Sequence, residues 1–329
     1  MSKVKSYLSL IRFSHTIFAM PFAMIGFFLG AFPIIVRQRT IAGFHTPSSV
    51  PGWHTIIYPF AFAHAEVDLS QVPETGWQIV FRLLLVVLCM IFARSAAMAF
   101  NRWLDVEFDA RNPRTAIREI PRGIISKSSA LRFVIFNCLA FIVCTWFINL
   151  LCFALSFVAL AVVLGYSYTK RFTPLCHLIL GLGLSLAPIG AYLALTGRFA
   201  LLPVLFSFTV IFWVSGFDII YALQDEEFDK SQQLYSMPSW LGKAKALRVS
   251  EFLHFLSMVC VVFAGYHGQF SWPYWVGVAI FIGMLIYQHA IVRPHDLSRV
   301  NLAFMTANGI ASVVFAVFVI GSMYVFFLY

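Results

Sequence analysis

Apolar runs of about twenty residues recur along the chain, separated by short stretches that hold most of the charged residues. A helix needs about 20 mostly apolar residues to cross a bilayer, so each run has the length of one span. The apolar stretch around Asn149 is about twice that length, and it predicts two helices joined by a tight hairpin. The whole pattern predicts nine membrane-spanning helices, at about 13–36, 78–101, 129–148, 150–168, 173–196, 200–222, 244–265, 272–292 and 301–327.

Composition points to the same fold class. Of 329 residues, 60% are hydrophobic and only 11% are charged, and the mean hydropathy is +0.84. These values are typical of an all-α polytopic membrane protein, and we expect a single domain over residues 1–329. A long outer loop at about 37–77 contains three histidines without the tight spacing of a zinc site. The six cysteines form no Cys-x-x-Cys pair and lie in or beside apolar runs, as small buried hydrophobic residues do.

The net charge of +9 comes from basic residues grouped at the ends of the predicted helices. With the N-terminus in the cytoplasm, 18 of the 23 Lys and Arg fall in cytoplasmic segments and four in outer segments, as the positive-inside rule expects. Arg94 lies inside a span. Topology therefore explains the charge without a nucleic-acid partner. It predicts a multi-pass membrane protein with a cytoplasmic N-terminus, an external C-terminus and its charged helix ends on the cytoplasmic side.

Two rows of polar side chains end two of these helices on the predicted cytoplasmic side. The first row is Asn101, Asp105 and Asp109, and the second row is Asp218, Asp225 and Asp229. On a helix, the spacing within each row puts its side chains on one face. Asp218 lies inside the apolar run, where a carboxylate is costly enough to indicate function. Mg²⁺ binds through one or two carboxylates plus water and substrate phosphates, so the two rows together predict a magnesium-bound diphosphate.

Basic side chains follow the first row and the fourth predicted span. They are Arg111, Arg114, Arg118 and Arg122 in the first case, and Lys170, four residues after Tyr166, in the second. Arg and Lys neutralise phosphate oxygens that metal ions leave free. Taken singly, basic residues at a cytoplasmic helix end are topology signals, and acidic residues there form a solvated face. Acidic and basic residues occur together at two places on one side of the membrane, and this coincidence favours a diphosphate site.

Three stretches form a set of motifs in a definite order. They are Asn101-x-x-x-Asp105-x-x-x-Asp109 followed by Asn112-x-Arg114-Thr115, then Tyr166-x-Tyr168-x-Lys170-Arg171, then Asp218-x-x-Tyr221-Ala222-x-x-Asp225-x-x-x-Asp229. Together they resemble the signatures of the UbiA superfamily of intramembrane aromatic prenyltransferases, whose members have nine transmembrane helices. Ser236 and Gly242 also fit that pattern. One departure is Arg118-Glu119, where the family usually has Arg-Pro.

The resemblance implies a role for each matched position. Asn101, Asp105, Asp109, Asp225 and Asp229 would bind Mg²⁺, Arg114, Arg118 and Lys170 would contact the diphosphate with help from Tyr166, and Asp218 would shape the pocket near the acceptor. The implied reaction breaks the allylic C–O bond of a polyprenyl diphosphate, and an electron-rich aromatic ring then attacks the prenyl group. The metal and the basic residues would stabilise charge on the leaving diphosphate, and the membrane would keep water away.

Arg94 is the candidate residue for selecting the acceptor. It lies two helical turns before Asn101, and a buried Arg suits a carboxylate on the aromatic substrate. The alternative is an ion pair with an internal acid such as Asp218. The run from Ile11 to Ala23 resembles a 4-hydroxybenzoate polyprenyltransferase-like subgroup, some of whose members act on 1,4-dihydroxy-6-naphthoate in a route to menaquinone. Arg12 and His15 in this run are candidates for lining the path of the acceptor.

Two other functions fit part of the sequence. An ion-coupled transporter would explain Asp218, but it would not explain the Arg-rich loop or the pair Tyr166 and Lys170. A UbiA-type enzyme with another acceptor, such as haem or chlorophyllide, would explain the motifs but not Arg94. The favoured function is transfer of a polyprenyl group to an aromatic hydroxy acid in ubiquinone or menaquinone biosynthesis.

Overall fold

The computed structural model describes residues 3–11, 18–41 and 76–325, and helices make up most of this part of the chain, which contains no strand. The helices are α1 (Lys3–Leu10), α2 (Met20–Ile41), α3 (Gly76–Leu104), α4 (Val106–Arg111), α5 (Lys127–Ile148), α6 (Leu150–Thr169), α7 (Cys176–Thr196), α8 (Leu201–Ala222), α9 (Glu226–Ser231), α10 (Met237–Leu241), α11 (Lys243–His267), α12 (Trp272–Ile291) and α13 (Asn308–Tyr324). A 3₁₀ turn at Leu223–Asp225 follows α8, and a π-helix at Leu302–Ala307 leads into α13.

Eight helical segments among the described residues are long and apolar enough to cross a membrane. They correspond to the second to the ninth predicted spans, so the all-α polytopic class is confirmed. Within α2, the part whose side chains the structure describes contains a shorter apolar helix, Met20–Ile34. The first predicted span, 13–36, begins in residues outside the described part, as does most of the loop at 37–77. The count of nine crossings and the sides of the two termini therefore stay predictions.

The hairpin predicted at Asn149 is present between α5 and α6. The Asn149 side chain caps α6, because its Oδ1 accepts a hydrogen bond from the backbone N–H of Cys152 at 2.8 Å. Its Nδ2 donates to the carbonyl oxygen of Leu193 in α7 at 2.9 Å. One polar residue in a long apolar stretch thus ends one helix, starts the next and ties the turn to a third.

Helix α8 lies at the centre of the protein, against α7 on one side and α11 on the other. Its side chains Phe206 and Trp213 are fully buried. Close approach to α11 depends on Gly216, because a Cβ there would lie 2.3 Å from the ring of His254. Small residues at such crossings are typical of helix packing in membranes. This packing holds Asp218, near the end of α8, in a half-buried position next to α7.

Both rows of polar residues lie where a long helix is interrupted. Helix α3 ends at Leu104, and α4 begins after Asp105. The backbone N–H of Asp105 still bonds to Asn101 O at 2.9 Å, and that of Asp109 to Asp105 O at 2.8 Å. The helical spacing therefore continues across the break, and the side chains of the first row stay on the same face. The 3₁₀ turn divides the second row between α8 and α9.

Candidate active site

A cavity of about 300 Å³ opens between the ends of α3, α6, α7 and α8. All the predicted site residues that the structure describes line it, namely Arg94, Asn101, Asp105, Asp109, Arg114, Arg118, Tyr166, Lys170, Asp218, Asp225 and Asp229. Arg12 and His15 lie outside the described residues. The two rows and the basic residues, which are far apart in sequence, thus surround one space.

Asp105 is the most buried acid of the cavity, with 1% of its surface exposed. Its Oδ2 lies 3.0 Å from Lys170 Nζ, and its Oδ1 lies 3.4 Å from an Arg171 Nη2. The side-chain amide of Asn101 donates to Oδ2 at 3.2 Å. A buried carboxylate is stable only when cations and donors surround it. The Tyr-x-Tyr-x-Lys-Arg motif therefore meets the first row directly.

Two further acids of the cavity, Asp109 and Asp225, face arginines from the loop after α4. Both carboxylate oxygens of Asp109 accept from Arg118 Nη1 at 2.7 Å. Asp225 forms a two-pronged ion pair with Arg114, with Nε donating to Oδ1 at 3.1 Å and Nη2 donating to Oδ2. Such bidentate pairs are the strongest charge-assisted contacts in proteins. Three acids of the site are thus neutralised by cationic side chains of the protein itself.

Arg114 is held from three directions. Its Nη1 donates to Tyr221 Oη at 2.8 Å, and its guanidinium lies 5.0 Å from the centre of that ring. Its backbone N–H donates to Asn112 Oδ1 at 2.9 Å, which shapes the turn. Burial alone would lower the pKa of Arg114, but Asp225 and Tyr221 outweigh burial, so its pKa is raised above the ordinary value. Arg114 therefore remains a cation.

Asp229 and Asp218 have partners of another kind. Asp229 Oδ2 accepts from Ser236 Oγ at 2.8 Å, and Ser236 also caps the short helix α10. Asp218 Oδ2 lies 2.6 Å from His177 Nδ1. Neither acid has an Arg or Lys ion-pair partner among the described residues. These two acids are thus held by hydrogen bonds to Ser236 and His177, whereas the other three face the cationic side chains of Arg and Lys.

Arg94 lies at the inner wall of the cavity without an acidic partner among the described residues. Its Nε is enclosed and makes no hydrogen bond. The alternative in which Arg94 pairs with Asp218 is wrong, because Asp218 bonds to His177 instead. A buried guanidinium with an unused donor is costly unless a ligand supplies the acceptor.

A second cavity of about 360 Å³ extends from this wall into the membrane-spanning part of the bundle. It is lined almost entirely by apolar side chains of α3, α5, α6 and α7. The two cavities share five wall residues, Arg94, Met98, Tyr166, Leu180 and Leu184. A charged chamber that continues into an apolar one suits an amphiphilic ligand with an anionic head and a hydrocarbon tail.

The two rows of polar side chains offer carboxylate and amide oxygens to the charged cavity. Carboxylate and amide oxygens suit a hard cation such as Mg²⁺. In the described part of the chain, no three His, Cys, Asp or Glu residues group closely enough to form a metal cage alone. Mg²⁺ seldom uses such a cage and takes several ligands from water and phosphate. The residues present therefore fit a cation that arrives with a phosphorylated ligand.

A model of the UbiA prenyltransferase family matches residues 60–313, which is most of the chain. The chain belongs to the UbiA prenyltransferase family. It is therefore an enzyme that transfers prenyl groups, and the transporter interpretation is set aside.

Related enzymes cover a large part of this prenyltransferase. A 4-hydroxybenzoate octaprenyltransferase from Francisella tularensis subsp. mediasiatica is 28% identical over 248 residues, which is 75% of this chain and 85% of the relative. One from Tolumonas auensis is 27% identical over 237 residues, which is 72% of this chain and 82% of the relative.

Solved UbiA structures share the fold. An apo UbiA homologue from Aeropyrum pernix K1 is similar with a TM-score of 0.70 and 25% identity, over 96% of this chain and 98% of that one. A UbiA homologue from Archaeoglobus fulgidus bound to DMAPP and Mg²⁺ has a TM-score of 0.68 and 18% identity, over 97% and 99% of the two chains. At 18% identity, the similarity to the Archaeoglobus fulgidus structure shows only that the fold is shared.

The structure also explains the departure from the UbiA pattern at Arg118-Glu119. Glu119 accepts a 2.5 Å hydrogen bond from Arg102, which is 3% exposed, and a further bond from Ser9 of α1. Glu119 is thus the counter-charge of a buried arginine, and Arg118 is still directed at Asp109.

His177 is a site residue that sequence reasoning missed. It is 3% exposed, lies at the start of α7 and lines the charged cavity. Nothing in the neighbouring sequence signals its role, because its partner Asp218 is 41 residues further along the chain.

Proposed function

We propose that this enzyme catalyses the Mg²⁺-dependent transfer of a polyprenyl group from a polyprenyl diphosphate to an aromatic hydroxy acid. The acceptor is 4-hydroxybenzoate or 1,4-dihydroxy-6-naphthoate, and the product serves ubiquinone or menaquinone biosynthesis. The observation that carries the proposal is a charged cavity that is lined by both acidic and basic side chains and continues into an apolar chamber.

The ion pairs that line the charged cavity support binding of a metal diphosphate by exchange of partners. Lys170, Arg118 and Arg114 now neutralise Asp105, Asp109 and Asp225. A diphosphate would take over the three cations, and Mg²⁺ would take over the acids together with Asn101 and Asp229. Charge stays balanced in both states, so neither set of buried charges is left unpaired. When bound, the metal supplies positive charge that stabilises the leaving diphosphate.

The apolar chamber supports a polyprenyl tail. Its wall begins at Arg94 and Tyr166 beside the charged cavity and runs along α6 to Cys152. Tyr166 and Cys152 are 14 residues apart on one helix, which corresponds to about 20 Å at 1.5 Å per residue. The reacting carbon would lie at the junction of the two cavities. Apolar walls there keep water from the carbocation-like prenyl group.

Arg94 supports an acceptor with a carboxylate. Its enclosed Nε needs an acceptor, and an aromatic acid placed at the junction of the cavities would supply one. The related 4-hydroxybenzoate octaprenyltransferases favour the same class of acceptor. Arg12 and His15 remain candidates for lining the acceptor path, and a haem or chlorophyllide acceptor is the less favoured alternative.

We propose the membrane arrangement that the positive-inside rule favours. The single domain crosses the bacterial inner membrane nine times, with the N-terminus and the charged cavity on the cytoplasmic side and the C-terminus outside. Water-soluble Mg²⁺ and aromatic acid then reach the cavity from the cytoplasm, while the prenyl donor enters from lipid.

An activity assay in membranes tests the metal and diphosphate assignment. Membranes with the protein, Mg²⁺, a polyprenyl diphosphate and 4-hydroxybenzoate should yield a prenylated acid, and EDTA should abolish the yield. Asp105→Asn should lower kcat/KM by about 100-fold or more, because it removes charge from the metal site. Glu107→Gln is the matched control, since Glu107 lies two residues further along on α4, is exposed and does not line the cavity.

The outcomes separate the possible errors. If Asp105→Asn retains near-normal turnover, the metal assignment is wrong. If Glu107→Gln loses as much activity as Asp105→Asn, a general effect of charge on the helix explains both. Running 4-hydroxybenzoate and 1,4-dihydroxy-6-naphthoate in competition identifies the preferred acceptor from the ratio of the two products.

A further inference from the structure

His177 and Asp218 form a hydrogen-bonded pair in the wall of the charged cavity. His177 Nδ1 lies 2.6 Å from Asp218 Oδ2. The His177 side chain is 4% exposed, whereas the Asp218 side chain is 23% exposed and lines the cavity. The acid is therefore open to the cavity, and most of the histidine lies behind it.

A second hydrogen bond determines which nitrogen of His177 carries the proton. The backbone N–H of Met237, at the start of α10, donates to His177 Nε2 at 3.3 Å. Because Nε2 accepts, the proton of the neutral ring is on Nδ1, which donates to Asp218. The His177 ring is thus fixed from both sides, by α10 and by α8.

Asp218 keeps one oxygen for another partner. Its Oδ2 is occupied by His177, whereas Oδ1 accepts no hydrogen bond from the described residues. Arg94 lines the same cavity with an unused donor. An aromatic hydroxy acid has a carboxylate at one end and a hydroxyl at the other, so it matches this pair of groups in both charge and hydrogen-bonding sense.

We propose that His177 is a positioning residue that holds Asp218 as the base for the acceptor's phenolic hydroxyl, an inference that rests on the proposed function. The histidine orients the carboxylate and keeps Oδ2 occupied, so that Oδ1 is directed at the hydroxyl. It does so without contacting either substrate.

The proton transfers balance over one turnover. Asp218 Oδ1 takes the phenolic proton. The electron pair of the O–H bond remains on the acceptor oxygen and raises the electron density at the ring carbon ortho to it. The C–O bond of the donor breaks with its electron pair leaving on diphosphate, and the enriched ring carbon forms the new C–C bond. That carbon then gives its proton to the released diphosphate, the ring regains aromaticity, and Asp218 returns its proton to the phenolate oxygen.

Two substitutions of similar size separate this role from simple packing. His177→Gln keeps an N–H donor for Asp218 and a carbonyl acceptor for Met237, whereas His177→Met fills the space with neither. We expect His177→Gln to retain at least about a tenth of kcat, and His177→Met to lose about 100-fold, the usual scale for acid–base catalysis. KM for the prenyl diphosphate should change little in both variants, because His177 does not contact that substrate.

A more acidic acceptor provides a readout that a structural role would not change. In 2-fluoro-4-hydroxybenzoate the fluorine makes the hydroxyl more acidic, so ionisation of the hydroxyl depends less on Asp218. Both ring carbons ortho to the hydroxyl remain free to react. The ratio of wild-type kcat to His177→Met kcat should therefore fall by about tenfold relative to 4-hydroxybenzoate, within the scale of general-base effects. Thermal unfolding in detergent checks that both variants are folded.

Other outcomes would overturn the inference. Equal kcat values for the Gln and Met variants, or a kcat ratio that is the same for both acceptors, would show that His177 only packs against α8. A wild-type enzyme that prenylates no phenolic acid would refute the proposed function, and this inference with it. A wild-type enzyme that is active alongside an unimpaired His177→Met variant would refute the inference alone.

Discussion

Individual side chains in this enzyme divide into those that balance charge within the protein and those left ready for a ligand. Glu119 and Arg102 form an ion pair whose charges neutralise each other inside the protein. Arg94 lies in the cavity wall with an enclosed nitrogen that has no acceptor. The difference matters because a buried cation without a partner lowers the stability of the protein. Such a residue is therefore expected where a ligand supplies the missing acceptor.

The role of Arg94 leads to a prediction about acceptor affinity. Arg94→Leu should raise KM for 4-hydroxybenzoate by about 10- to 100-fold, the range expected for losing a charge-assisted hydrogen bond. It should leave KM for the prenyl diphosphate almost unchanged. The control is the neutral acceptor 4-hydroxybenzonitrile, for which wild type and Arg94→Leu should have similar KM values in the membrane assay. An equal KM increase for acid and nitrile would exclude carboxylate binding by Arg94.

At the scale of elements, the position of α7, which carries His177, depends on its close crossing with α2. Helix α2 crosses α7 where Gly26 meets the backbone of Pro188, and a Cβ on Gly26 would lie 1.9 Å from Pro188 O. Backbone atoms cannot move aside as a flexible side chain does. The two helices therefore depend on a glycine at this point.

Gly26→Ala should destabilise the protein by about 2 kcal/mol, the usual cost of overfilling a packed interface. Gly283→Ala is the matched control, because Gly283 is an exposed helical glycine with no atom within 4 Å of an added Cβ. Unfolding of both variants in a mixed-detergent titration provides the measurement. If Gly26→Ala were as stable as Gly283→Ala, the tight crossing would not contribute to stability.

For the whole molecule, the proposed function requires that the polar cavity be reached from water and the apolar chamber from the lipid. The charged cavity lies at helix ends rich in Arg and Lys, and the chamber lies among membrane-spanning segments. An odd number of crossings would place the two chain termini on opposite sides of the membrane. The proposed orientation can be tested without any substrate.

Reporter fusions should resolve this topology. Alkaline phosphatase, which is active only outside the cytoplasm, should be active when fused after Tyr329 and inactive when fused to a chain truncated after Ser126. Green fluorescent protein at the same two positions should give the opposite result, because the positive-inside rule assigns the Arg-rich loop to the cytoplasm. Cytoplasmic reporter activity at both positions would contradict nine crossings and imply an even number.

Local patterns in the sequence determined the helices and the chemical character of the site. Apolar runs set the positions of eight membrane-spanning segments, Asn149 marked the hairpin, and a spacing of four residues put Asn101, Asp105 and Asp109 on one face. Each of these features depends on residues within a few turns of one another, so the periodicity of the helix is enough to predict it.

Only the tertiary structure decided which polar groups meet. Arg114 and Asp225 are 111 residues apart, His177 and Asp218 are 41 apart, and Glu119 and Arg102 come together through the path of a loop. Arg94 was expected to face either a substrate carboxylate or Asp218, and helix packing gave Asp218 to His177 instead. Such pairings depend on how separate helices cross, and the spacing of residues along one helix contains no information about that.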